Sequence, residues 1–140
     1  MEIEGENKKF LTVEEANRVL ATLEVQMLKL QELNKAIALL RSVSFEYDDD
    51  HQNLVSAVKL NHQFHTISAE FYTILHRLLD AGCVVKDIDT GLVDFYSTID
   101  NRIICLCWQL GEKHIQFWHE TDAGAQGRKP IAMLRQQSVE

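Results

Sequence analysis

Residues 60–95 read LNHQFHTISAEFYTILHRLLDAGCVVKDIDTGLVDF, and the hydrophobic period changes inside this stretch. Up to Ala81 the apolar residues recur in steps of three and four. Ala57, Leu60, Phe64, Ile67, Phe71, Ile74, Leu78 and Ala81 therefore share one helix face as a heptad seam. Gly82 stops that helix, because glycine suits the left-handed position that follows a helix C-terminus. Beyond it the period falls towards two, and Val84-Val85-Lys86-Asp87-Ile88 reads as a short strand. Asp89-Thr90-Gly91 is a turn, and Leu92-Val93-Asp94-Phe95 is extended. The chain is helical before residue 82 and sheet-forming after it.

Upstream, Thr12-Val13-Glu14-Glu15 has the form of a capping box, with Leu11 placed to staple the first turn. Ala16, Leu20, Leu23, Met27, Leu30, Leu33, Ile37 and Leu40 follow on one face. No Gly or Pro interrupts residues 11–79, so a first helix over about 13–44 reaches roughly 45 Å. Asp48-Asp49-Asp50-His51 breaks the pattern. These acids suit the positive end of a second helix over about 50–81, and a solvated cap outweighs a metal-binding reading of them. His62, His65 and His76 fall on the polar side of that helix. His62 and His65 are one turn apart but lack a third ligand on the helix, so wet-face histidines are the better reading.

Downstream, Asp100-Asn101 marks a turn, and Ile103-Ile104-Cys105-Leu106-Cys107-Trp108 is the strongest strand signal in the chain. Gly111-Glu112-Lys113 reads as a hairpin connection, with His114 to Glu120 returning. The predicted fold is α+β: a long antiparallel helical hairpin followed by a small, mostly antiparallel three- to four-stranded sheet over about 84–120. It forms a single domain over 10–131, between a flexible N-terminal tail at 1–9 and a C-terminal tail at 132–140. A two-residue hairpin loop, at 111–112 or 112–113, puts Ile104, Leu106, Trp108, Leu110, Ile115, Phe117 and His119 on the face that packs on the helices. Cys105, Cys107, Gln109, His114, Gln116, Trp118 and Glu120 take the other face.

The 140 residues carry a net charge of −7. That balance disfavours nucleic acid, whose phosphates call for a basic face, and it disfavours an anionic membrane surface. No apolar run approaches the ~20 residues of a membrane span, and the polar start MEIEGENKKF is not a secretory signal. Cys83, Cys105 and Cys107 are odd in number and lack zinc-finger spacing, so they read as buried thiols. These features fit a cytoplasmic protein. Val19, Leu28, Leu39 and Val43 lie beside the helix seams and also need cover. A second copy of the chain would supply it, so a homodimer through the long helices is expected.

KDIDTGLVDF (86–95), CWQLGE (107–112) and FWHETDAGAQGRKPI (117–131) together resemble an uncharacterised bacterial and archaeal family, domain of unknown function 2203. The opening FLTVEEANRVL (10–20) fits the family's usual start. The family's G-L-V-D-F, C-W…G-E and W-H…D-x-G…G-R segments correspond to Gly91–Phe95, to Cys107-Trp108 with Gly111-Glu112, and to Trp118-His119 with Asp122, Gly124, Gly127 and Arg128. Tyr96 stands where a proline usually follows the Phe, and Ala125 where an aromatic usually follows Gly124. The resemblance implies a fold and carries no established activity.

His119 is the odd member of its predicted face, and each ring nitrogen needs a partner. Asp122 is the nearest acid in sequence, and Asp94 and Glu112 are other candidates. The leading reading is structural: His119, Asp122 and Arg128 form a polar latch that ties the glycine-rich tail to the sheet. The alternative is a site for a small ligand or divalent metal, in which Asp94, Glu112, His119, Asp122 and Arg128 line the site and His119 and Asp122 are the metal candidates. Metal-activated water would make hydrolysis its natural chemistry, and no cofactor is required by the residue pattern. Cys107 as a nucleophile would need a base, with His114 sharing its face. Asp89-Thr90-Gly91 spells the aspartic-protease triplet, but Asp-x-Gly is ordinary turn chemistry and the surrounding chain is helical.

Overall fold

The computed structural model describes residues 8–46 and 54–134. Two helices come first, α1 over Val13–Glu46 and α2 over Leu54–Asp80. Five strands follow: β1 (Val84–Asp87), β2 (Leu92–Ile99), β3 (Arg102–Gln109), β4 (Phe117–Glu120) and β5 (Lys129–Pro130). The architecture is α+β, as the change of period predicts. The sheet has one more strand than expected, because the two-residue β5 lies in a Gly- and Pro-bearing tail with no strand period. Residues 48–51, read above as a helix cap, lie outside the described residues.

The helix ends form as their sequences direct. Glu15 N–H donates to Thr12 Oγ1 at 3.1 Å, and Thr12 N–H donates to Glu15 Oε1 at 2.9 Å, closing the capping box. At the far end of α2, Gly82 takes φ 98°. Cys83 N–H donates to Leu78 O and Gly82 N–H to Leu79 O, which is a Schellman termination.

Burial along the two seams is uneven. In α1 the stripe from Ala16 through Ile37 is buried. In α2 only Phe71, Ile74 and Leu78 are buried, while Ala57, Leu60, Phe64 and Ile67 are half-buried. The sheet supplies the cover where it reaches. Ile115 N–H donates to Asn17 Oδ1 of α1, and Gln31 Nε2 donates to the carbonyls of Ile88 and Asp89. The hairpin runs on past Gln31 with a thinner core.

The sheet order is β1-β2-β3-β4-β5, with every neighbour antiparallel. Phe10 adds a parallel bridge to Tyr96. Asp100 and Asn101 both have positive φ, 53° and 63°, so β2 and β3 are joined by a two-residue turn of the primed type that suits strand twist. This sets Asp94 opposite Cys107 and Tyr96 opposite Cys105.

The next connection corrects the predicted faces. β3 ends at Gln109 and β4 begins at Phe117, so the link is 110–116 rather than a two-residue loop. The chain does turn at Gly111, where Glu112 N–H donates to Gln109 O. The Ile115 amide is then held by Asn17 and does not join the ladder. The register moves by one residue, which exchanges the faces of β4. Trp118, placed outside by the sequence reading, lies opposite Leu106 in the core at 1 % exposure. Phe117 and His119, placed inside, share the outer face with Cys107 and Cys105.

Gly91 sits at φ 72°, and a Cβ there would come within 2.5 Å of Leu110 Cβ. Gly111 also has positive φ, 107°, but open space around it. Gly91→Ala is expected to cost about 1–3 kcal/mol from strain and collision, and more than Gly111→Ala. Urea midpoints at unchanged m-value check the order of the two.

Candidate functional site

Three adjacent strands each put one polar side chain on the outer face: Asp94 from β2, Cys107 from β3 and His119 from β4. All three are buried. Asp94 and His119 stand two strands apart, roughly 10 Å between backbones. They meet because the residues between them on that face, Cys105 and Cys107, are small. His119 Nε2 lies 3.1 Å from both Asp94 oxygens. Its Nδ1 lies 2.7 Å from the Glu120 carbonyl oxygen.

These partners fix the proton inventory. A carbonyl can only accept, so Nδ1 carries a hydrogen and donates to Glu120 O. The Nε2–Asp94 contact then holds one shared proton, as an imidazolium–carboxylate pair or as a carboxylic acid donating to neutral imidazole. Either way both ring nitrogens are satisfied, as a buried histidine requires.

Cys107 Sγ lies within 4.8 Å of an Asp94 oxygen, and its thiol is pushed up to about 12 by burial first and then by the negative charge of Asp94. Cys105 is raised to about 11 for the same two reasons. Burial alone raises Cys83 to about 12. All three are free thiols. A protonated, buried Cys107 is a poor nucleophile. The histidine on its face is His119 rather than the expected His114, which is exposed.

Glu112 and Arg128 form a second pair beside this cluster. Arg128 Nη2 donates to Glu112 Oε2 at 2.6 Å, and the guanidinium lies 4.0 Å over the Phe117 ring. Glu112 is itself fixed at the turn, where its Oε1 accepts the Gln109 amide and its carbonyl accepts Trp108 Nε1–H. Arg128 Nε is buried without a hydrogen-bond partner among the described residues. Asp122 stands apart. It is exposed on the turn closed by Ala123 N–H to Glu120 O, and it pairs with no described residue.

Of the five residues singled out from the sequence, the fold joins Asp94 to His119 and Glu112 to Arg128, and leaves Asp122 outside. Cys107 completes the cluster and was not among the five. Its signal was present, because the Asp100-Asn101 turn alone sets Asp94 opposite Cys107. The Asp-Thr-Gly triplet is a turn in which Asp87 Oδ2 accepts Thr90 Oγ1–H at 2.6 Å.

Removing one partner of the Asp94–His119 pair leaves the other buried and uncompensated. His119→Leu is expected to cost about 3–5 kcal/mol, and adding Asp94→Leu should restore much of it. Chemical denaturation of the two single variants and the double checks this.

The thiols predict an alkaline limit. Folded-state values near 11–12 lie above the ordinary 9.0. The unfolded chain therefore loses thiol protons first, and this contribution is intact below pH 9 and lost as pH climbs towards 12. Stability measured across that range should fall, and the thiols should resist alkylation at pH 8 until the protein unfolds.

No functionally curated protein and no solved structure matches the chain. A family model described as an uncharacterised conserved protein, DUF2203, matches residues 9–131, which takes in both helices, all five strands and the Asp94–His119 and Glu112–Arg128 pairs. The chain is a member of the DUF2203 family.

Proposed function

We propose that this protein is a homodimeric interaction domain: the long helices associate with those of a second copy, and a latched sheet forms the rigid base. The observation that carries this reading is the uneven seam. Ala57, Leu60, Phe64 and Ile67 continue the α2 seam yet stay half-buried, and Val25, Leu28, Leu39, Leu54, Val55 and Val58 are exposed on the same two helices. Leaving large aliphatic side chains half in water forgoes roughly 25 cal/mol per Å² of apolar surface. A second hairpin packed as a four-helix arrangement recovers it.

Polar contacts tie the tail to the sheet base, over a core that includes Phe95, Leu106, Trp108 and Trp118. Arg128 ties the tail to Glu112 and Phe117, and Ile131 N–H donates to Gln116 O. The sequence reading gave this role to His119, Asp122 and Arg128 with Glu112 a plain turn residue; here Arg128 reaches Glu112, while His119 pairs with Asp94 and Asp122 is exposed. A net charge of −7 argues against a nucleic-acid partner. Three buried free thiols suit a reducing compartment such as the cytoplasm. No helix among the described residues is long and apolar enough to cross a membrane.

Sedimentation at micromolar concentration should give a dimer. Leu39→Asp with Val58→Asp should give a monomer of unchanged helix content, since both side chains are exposed within one chain. A native protein that sediments as a monomer at that concentration would overturn the reading.

A further inference from the structure

We infer that Asp94, Cys107 and His119 form a binding site for one zinc-class divalent cation. Their ligating atoms, a carboxylate oxygen, Sγ and an imidazole nitrogen, lie within 4.8 Å of one another. In a tetrahedral zinc site, ligand atoms at 2.0–2.3 Å from the metal are roughly 3.3–3.8 Å apart. The observed 3.1 Å between Nε2 and each Asp94 oxygen is slightly tighter than that. A small outward rotation of the two side chains makes room for the ion. The backbone need not move, because three paired strands hold the ligands.

The surroundings also suit a metal. A ligating histidine usually donates its other ring hydrogen to a backbone carbonyl or carboxylate, which fixes ring and tautomer. His119 Nδ1 already faces Glu120 O at 2.7 Å. Thiolate, imidazole and carboxylate together select zinc, cobalt or iron over magnesium and calcium, which prefer all-oxygen shells. Charge balances as well. The cation displaces the proton shared by Asp94 and His119 and the Cys107 thiol proton, so the buried cluster keeps its net charge. Three protein ligands leave the fourth position to a water.

Cobalt(II) tests this directly, because cobalt–thiolate bonding gives an intense near-ultraviolet charge-transfer band. Full-length protein is stripped with chelator, refolded with cobalt(II) so that burial does not bar entry, and checked for native circular dichroism. One cobalt per chain and the thiolate band are expected, and zinc should displace the cobalt and raise Tm. Cys107→Ser should abolish the band and weaken binding at least tenfold. Cys83→Ala, outside the cluster, should keep both. A folded protein without stoichiometric cobalt overturns the inference, as does a band that survives Cys107→Ser. Neither outcome bears on whether the helices dimerise, because sedimentation of the same samples reports that separately.

Discussion

The amide of Ile115 donates to Asn17 Oδ1 at 2.7 Å, across 98 residues of sequence. Without that bond the amide could continue the ladder from the turn at Gly111, and β4 would return in a tight hairpin. With it, the chain between Gly111 and Ile115 leaves the β3–β4 ladder with Ile115 held on α1, and β4 re-enters one residue out of the tight register. Strand side chains alternate, so this one-residue shift decides every position in β4. It sends Trp118 towards the helices and His119 to the outer face, within reach of Asp94. The cluster on that face exists only in this register.

The outer face explains the two cysteines of β3. A polar pair two strands apart needs a gap between its members, and Cys105 and Cys107 leave one while still sealing it from water. A large aliphatic residue at 107 would fill the space through which Asp94 and His119 meet. A serine would compete for the Asp94 oxygens more strongly than a thiol does. The pair and the thiols are therefore one arrangement, in which size and weak hydrogen bonding both matter. Glu112 and Arg128 extend it to the tail. The turn holds Glu112 at both its side chain and its carbonyl, and Arg128 reaches it from beyond the 3-10 turn Ala125–Gly127.

Features encoded within a few residues were legible in the sequence. The capping box at Thr12, the glycine stop at 82, both helical seams and the Asp100-Asn101 turn all formed where local chemistry put them. The opposition of Asp94 and Cys107 follows from that turn. The face of β4 was not legible, because Gly111-Glu112-Lys113 looks like a hairpin loop and nothing nearby reveals Asn17. The same limit governed the site. Asp122 is three residues from His119, yet the partner is Asp94, 25 residues away in sequence. Proximity along the chain was a poor guide because the turn after Glu120 carries Asp122 into solvent. The tail gave no strand signal, since a two-residue strand has no period to read.

The observed register has a cost that shows why it is preferred. Trp118 Nε1 is buried in the core without a hydrogen-bond partner among the described residues, a penalty of about 1–3 kcal/mol. Burying its ring, at 150–250 Å² and roughly 25 cal/mol per Å², returns more than that. The tight-hairpin register would free the indole but turn His119 towards Leu106 and the helices. Both ring nitrogens would then sit among aliphatic side chains, and Asp94 would be buried on the opposite face without the imidazole. Breaking a buried pair in this way costs about 3–5 kcal/mol before the stranded imidazole is counted. One orphaned indole hydrogen is the smaller loss. Asn17 need not overcome a strong preference for the hairpin, because the side chains of β4 already favour the face that it fixes.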